Sequence, residues 1–169
     1  LEGRPVNALL QPEAGLRPMR VADLDAVMAV ERGAYGFPWT RGNFIDSLAA
    51  GHLAEMLVHD TAGLIGYYVA MKGVDEMHLL NLTVASAQQR RGHSRTLLDA
   101  LEGQCRSRGI GNLWLEVRAS NHVARQLYAR RGFAEVGLRR SYYPAGLGQR
   151  EDAIVMSQAL SGERMHGVD

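Results

Sequence analysis

Three groups of residues are of types that can do chemistry, and their spacing decides which chemistry. The first is Gln89-Arg90-Arg91-Gly92-His93-Ser94, which lies between a strand-like run ending at Val84 and a run with helical periodicity carrying Leu97 and Leu101. Free N–H groups at a helix start, together with the helix dipole, make an anion site, and a glycine there lets the backbone approach a pyrophosphate closely. Arg90, Arg91 and Arg95 add positive charge. Spacing alone equally allows a solvated basic turn in which Gly92 only starts the helix. The stretch lacks the Gly-Lys-Ser/Thr of a Walker loop, and no G-x-G-x-x-G occurs, which argues against the cofactors those motifs hold.

The second group is a carboxylate on a strand. In Leu113-Trp114-Leu115-Glu116-Val117-Arg118, period two sends Leu113, Leu115 and Val117 to one face and Trp114, Glu116 and Arg118 to the other. Glu116 so placed can accept a proton; it can equally be an exposed strand glutamate paired with a neighbouring arginine. The third is Tyr128, a phenol on the following helical run, where packing on the sheet is the plain alternative. Cys105, the one cysteine, falls on an apolar helix face and reads as a core thiol rather than a nucleophile. The six histidines show no metal-ligand spacing, so no metal is expected.

Periodicity supplies the elements that must position these groups. A short strand is expected near Leu16 to Arg20, then an amphipathic helix over Ala22 to Tyr35 with Leu24, Val27, Met28 and Glu31 on one face. Gly36-Phe37-Pro38-Trp39 breaks it, and Thr40 caps a second helix that Gly51 ends. His52 to His59 and Leu64 to Lys72 form an antiparallel hairpin, and Met77 to Val84 a third strand. A helix from Gly92 to Arg108, a strand from Asn112 to Arg118 and a helix from Asn121 to Arg131 follow. Phe133 to Arg139 and Asp152 to Gln158 close the sheet. The order β-αα-βββ-α-β-α-ββ gives an α/β fold with one mixed sheet.

Composition bounds the rest. At 169 residues the chain suits one domain, and such a chain buries roughly 70% of its unfolded surface. Its 46% hydrophobic and 22% charged residues are ordinary for a globular protein. Nineteen basic against eighteen acidic residues leave +1, so there is no global field for direct nucleic-acid binding. No apolar stretch approaches the roughly 20 residues of a membrane span, so no membrane partner is expected. A lone cysteine fits a reducing, cytoplasmic setting. We expect a leader or flexible arm at 1–15, the catalytic domain at 16–160, a tail at 161–169, and a monomer or weak dimer.

Strand, Q-R-R-G-x-S, helix resembles the pyrophosphate signature of the GNAT family, usually written Q/R-x-x-G-x-G/A. Ser94 stands where glycine or alanine is usual, and His93 where a small aliphatic residue is common. The run L-W-L-E-V-R-A-S-N, then A-R-Q-L-Y and R-G-F, closely resembles the bacterial ribosomal-protein-alanine N-acetyltransferases, a GNAT branch acting on an N-terminal amine. So do F-P-W-T from Phe37, D-E at Asp75 and Glu76, R-R-S-Y-Y-P from Arg139 and R-E-D-A-I-V-M ending at Met156. The resemblance spans about Leu16 to Gln158.

It implies the GNAT fold, with a mostly antiparallel sheet splayed at the acetyl-CoA site, and acetyl-CoA as cosubstrate. The family's proton acceptor falls on Glu116, its proton donor on Tyr128 and its coenzyme-contacting asparagine on Asn121. Acetyl-CoA would also touch Leu82, Thr83, Val84 and Arg90, Arg91, Gly92, His93, Ser94, Arg95. Trp39, Tyr142 and Tyr143 would grip the N-terminal segment of a protein substrate, a ribosomal one, and Asp75 and Glu76 would attract its basic tail. Two other readings stay open: a GNAT enzyme for a lysine or small amine, and a non-catalytic acyl-CoA-binding module.

Overall fold

The computed structural model describes residues 14–160, so the expected tail, and all but the end of the expected arm, lie outside the described residues. In chain order the elements are β1 (Ala14–Pro18), α1 (Leu24–Ala34), α2 (Arg41–Ala49), β2 (Leu53–His59), β3 (Gly63–Lys72), β4 (Glu76–Val84), α3 (His93–Ser107), β5 (Asn112–Arg118), α4 (His122–Arg130), β6 (Ala134–Pro144) and β7 (Arg150–Ala159). They form one seven-stranded sheet, β1-β2-β3-β4-β5-β7-β6, antiparallel except for the β4–β5 pair. The expected element order and mixed sheet are those observed.

Local chemistry explains most boundaries. Thr40 Oγ1 accepts from the Asn43 backbone at 3.1 Å while Asn43 Oδ1 accepts from the Thr40 backbone at 2.9 Å, a reciprocal cap that starts α2. The first helix begins later than expected, because Val21–Asp23 is a 3-10 turn in which Asp23 accepts from the Arg20 N–H at 2.8 Å. β1 begins at Ala14, taking in the end of the expected arm.

The largest departure is at the far edge. β6 was expected to end at Arg139 but continues to Pro144, with Tyr143 opposite Glu151 and Pro144 opposite Arg150 across an irregularity after Arg139. β6 is an exposed edge strand along almost its whole length. With neither face buried, no alternation marks it in the sequence.

Helices cover both faces. On one, Leu97, Leu98, Leu101 and Cys105 of α3, all fully buried, pack with Leu113, Leu115 and Val117 of β5 and with Tyr128 and Phe133. Each such leucine contributes about 2 kcal/mol by burial. On the other face Leu24, Val27 and Met28 of α1 and Phe44 of α2 pack on Met56, Tyr67 and Val69. α1 lies over β3 and β4, so Trp114, Glu116 and Arg118 stand on that same side of the sheet, beyond it.

Two features open the sheet's centre. The parallel pairing of β4 with β5 runs only from Glu76↔Asn112 to Leu79↔Leu115. On the other side of β4, Val69 pairs with Asn81 but Ala70 with Leu79, so Leu80 is an extra residue. A bulge bends its strand, and β4 leaves β5 at this residue. Close packing holds the other side: a Cβ on Gly66 would meet the Thr83 carbonyl at 2.5 Å.

Candidate active site

A cavity of about 390 Å³ occupies the gap, and Glu116, Tyr128, Leu82, Asn121, Trp39 and Tyr143 all line it. These six come from three strands, β4, β5 and β6, from helix α4 and from the segments before α2 and α4, and each is a candidate on the sequence alone. The backbone of β4 supplies donors. The Ala85 N–H donates to the Ile65 carbonyl at 2.8 Å, and residues in an antiparallel ladder alternate between facing the partner strand and facing away. Thr83 therefore turns its backbone to β3, while Leu82 and Val84 turn theirs into the gap. Their carbonyls accept from the Tyr35 hydroxyl at 2.9 Å and from Gln89 Nε2 at 3.4 Å, which leaves the two N–H groups as donors to a ligand.

Glu116 is held from two sides. His78 Nε2 lies 2.6 Å from Glu116 Oε2, and Arg139 Nε lies 3.1 Å from Oε1. His78 is itself fixed by stacking on Trp114, with ring centroids 3.6 Å apart and planes 8° from parallel. The expected period-two faces of β5 hold: Glu116 shares a side with Trp114 and Arg118. The arginine beside it is Arg139 from β6, since Arg118 is bound to Glu151 at 2.8 Å and to the Pro144 carbonyl at 2.8 Å.

Tyr128 is buried against Phe133, ring centroids 5.4 Å apart. Burial raises its phenol above the ordinary range, with Tyr35 and Tyr143 adding to the shift, so the hydroxyl stays protonated at neutral pH. It is both a packed aromatic and a wall of the cavity. Beneath it lies a polar cluster not anticipated as a site. The Glu31 carboxylate is 1% exposed and accepts from the Trp39 backbone at 2.9 Å, from Asn81 Nδ2 at 3.3 Å to each oxygen, and from the Tyr67 hydroxyl. Thr83 Oγ1 joins it, donating to Asn81 Oδ1 at 2.6 Å and lying 2.8 Å from the Tyr35 hydroxyl. Thr83 thus faces this cluster rather than the gap. The signal for it was available: a glutamate on the apolar face of α1.

The basic loop follows a 3-10 turn, Ser86–Gln88, and reaches α3 through Gly92 at φ +81°, a conformation that favours glycine. No side chain caps α3, and the first intrahelical bond of this turn is Thr96 N–H to the Gly92 carbonyl. The amides of His93, Ser94 and Arg95 are therefore unspent, and a Cβ placed on Gly92 would meet nothing within 4 Å. These features suit an anion. Asn121 caps α4, its Oδ1 accepting from the Ala124 N–H at 3.2 Å, so its Nδ2 protons are what it can offer a ligand.

Of the residues expected to hold substrate, Trp39 does two things: its ring packs 5.1 Å from Phe44 and it also lines the cavity. Tyr143 lines the cavity, and the Arg118 guanidinium sits 4.6 Å from its ring and 5.4 Å from that of Phe37, joining the β6–β7 hairpin to the loop after α1. Tyr142 is not among the lining residues; it packs edge-on against Tyr143 at 4.9 Å. Asp75 and Glu76 sit at the opposite end of β4. Asp75 Oδ1 accepts from the Gly111 N–H at 3.1 Å and Glu76 folds over Gly73, so these two carboxylates serve a turn rather than the cavity. Cys105 is a core thiol, raised above its usual range by burial. Among the described residues no cluster of His, Cys, Asp and Glu suits a metal, and no helix is long and apolar enough to cross a membrane.

The family described as "Acetyltransferase (GNAT) family" matches residues 24–133. A [ribosomal protein bS18]-alanine N-acetyltransferase of Escherichia coli (strain K12) is 37% identical over 143 residues, 85% of this chain and 95% of that protein. One from Haemophilus ducreyi is 36% identical over 138 residues, 82% of this chain and 94% of that protein. The crystal structure of the ribosomal-protein-S18-alanine N-acetyltransferase from Escherichia coli superposes with a TM-score of 0.82 at 34% identity, covering 92% of this chain and 100% of that one.

Proposed function

The chain belongs to the GNAT acetyltransferase family, and from that premise we propose that it transfers the acetyl group of acetyl-CoA to the N-terminal α-amine of a protein. The acceptor is the N-terminal alanine of a small-subunit ribosomal protein, the substrate named for its relatives, and the setting is the cytoplasm. One observation carries this reading: Glu116 and Tyr128, from a strand and the helix after it, line the same cavity where β4 and β5 part.

The residues present fit the coenzyme: unspent amides and an open glycine at the start of α3, and two strand N–H groups facing the gap. When bound, acetyl-CoA supplies the thioester carbonyl that an amine attacks. The α3 amides, with Arg90, Arg91 and Arg95, hold its pyrophosphate. The Leu82 and Val84 N–H groups bind its pantetheine and orient the carbonyl oxygen, which gains charge as the amine adds. Asn121 offers Nδ2.

An amine attacks only when unprotonated. At pH 7 an α-amine is about a tenth free, against roughly one in two thousand for a lysine. Glu116 takes the proton that remains. Tyr128, kept protonated by burial, gives its proton to the departing sulfur. Transfer is direct, because the one cysteine is buried in the core. Phe37, Trp39 and Tyr143 form the rim that receives an extended peptide, with Arg118 bracing it.

Thiol release from acetyl-CoA, with short peptides differing at the first residue beside lysine-only and polyamine controls, tests the proposal. Preference for an alanine-initial peptide supports it. Turnover with the amine controls alone replaces it with a small-amine enzyme, and coenzyme binding without turnover with a non-catalytic module.

A further inference from the structure

His78 has no task in the mechanism above, yet it makes the shortest contact to the carboxylate at its centre. Its Nε2 is 2.6 Å from Glu116 Oε2, its side chain is 12% exposed and that of Glu116 8%. Between the ammonium and the amide the acceptor nitrogen loses two protons as its C–N bond forms and the C–S bond breaks. One ends on the sulfur. The other must reach solvent.

Acceptor and coenzyme together would occupy the cavity that Glu116 lines, so a proton leaving by its mouth would have to pass them. The carboxylate is paired with His78 and Arg139; the Tyr143 phenol also lines the cavity, but burial and the Glu116 charge raise it, so it stays protonated and takes no proton. A guanidinium stays charged across the accessible range and cannot take a proton. An imidazole can accept at one nitrogen and release at the other.

We propose that His78 is a positioning residue that carries the proton accepted by Glu116 to solvent. This rests on Glu116 being the proton acceptor. With the ring in its Nδ1–H tautomer, Oε2–H of Glu116 passes its proton to Nε2, and the imidazolium loses the Nδ1 proton to water. Carboxylate and ring return to their starting charges, and exchange with water restores the tautomer. Nothing is oxidised or reduced.

The stack on Trp114 holds the ring in line for this transfer. The charged groups at it are Glu116 from β5 and, through Glu116, Arg139 from β6; Glu76, two residues back on the same face of β4, folds over Gly73, and β3 presents Met71 opposite His78. Of the two side chains that hold the Glu116 carboxylate, only His78 can take a proton from it.

Two variants separate relay from packing. His78→Phe keeps a ring on Trp114 and removes both nitrogens; His78→Ala leaves room for added imidazole. At pH 7, His78→Phe should lower kcat about tenfold or more, within the range general acid–base groups supply, with the KM for acetyl-CoA unchanged. His78→Ala should regain turnover in proportion to added imidazole, and acetyl-CoA binding checks that each variant is folded. Wild-type turnover in His78→Phe, or a loss in His78→Ala that imidazole does not relieve, overturns the relay. Glu116→Gln, assayed in parallel, keeps the two readings apart. If it is slow while His78→Phe is normal, only the relay fails; if Glu116→Gln is itself normal, the proton-acceptor reading fails first.

Discussion

Tyr35, the residue that closes α1, donates its hydroxyl to the carbonyl of Leu82 on β4 at 2.9 Å. The contact ties the loop that carries Phe37 and Trp39 to the strand that leaves β5. It also satisfies the carbonyl of a residue whose N–H faces the gap. The hydroxyl, 2.8 Å from Thr83 Oγ1 as well, connects the floor of the cavity to the buried Glu31 cluster.

Tyr35→Phe removes both bonds and little volume. Stability should fall by about 1 kcal/mol, the net worth of such a bond, and the KM for acetyl-CoA should rise several-fold as Leu82 loses its tether. Urea denaturation and steady-state kinetics on one preparation check it. A stability loss with unchanged kinetics would mean that the bond does not set the geometry of the gap.

Glu116→Gln should lower kcat about a hundredfold, most at low and neutral pH, where the α-amine is largely protonated, while acetyl-CoA still binds. Tyr128→Phe should slow transfer more than it weakens binding. Burial raises the Tyr128 phenol, so the donor remains protonated and kcat should not decline through its ionisation before about pH 10, the ordinary phenol range. A pH–rate profile of the wild type compared with Tyr128→Phe reads this; an alkaline fall near pH 9 present only in the wild type counts against Tyr128 as the donor.

Gly92 holds φ +81° with open space where a Cβ would go. Gly92→Ala meets no clash, so its cost is conformational, about 1 kcal/mol. The larger effect should be on acetyl-CoA, because the added methyl enters the space beside the α3 amides. Calorimetric titration should show affinity reduced about tenfold or more, with a melting temperature lower by only a few degrees. Unchanged affinity would move the pyrophosphate elsewhere.

Glu151 is held below the usual carboxylate range by its hydrogen bond from Arg118 and then by Ser120. A depressed carboxyl contributes stability above its unfolded pKa, near 4.3, and that contribution disappears as pH falls through the lower folded value. The pair is partly exposed, so at most ~1 kcal/mol is at stake. Glu151→Gln should be less stable than the wild type at pH 6, and the gap should narrow as pH falls below the unfolded value. Unfolding curves over a series of pH values test the sign; a gap that does not change with pH would place the effect in packing.

Much of the chain was legible in advance where one element's own period carries the information. β5 runs from Asn112 to Arg118 as alternation indicates, and the α3 face of Leu97, Leu98, Leu101 and Cys105 is buried. The edge strand β6 was cut short, because an exposed strand has no buried face to mark it. Asp75 and Glu76, part of the resemblance, are expected to attract a substrate's basic tail, but a pair of residues at the start of β4 lies away from the gap at its end. A strand advances about 3.3 Å per residue, which leaves them at its far end.

The sequence by itself determined the order of elements, the side of β5 on which Glu116 stands, the glycine at the start of α3 and the family to which these motifs belong. All of these depend on repeats and caps within a few residues, where backbone geometry sets the spacing. The tertiary structure alone decided that Leu80 is an extra residue in β4, that β4 and β5 part after Leu79 and Leu115, and that His78 and Arg139 enclose Glu116. Those contacts join residues 38 positions apart in the case of His78 and Glu116, and strands separated by β7 in the sheet in the case of Arg139. They follow from register and bulges between strands, which no local period records.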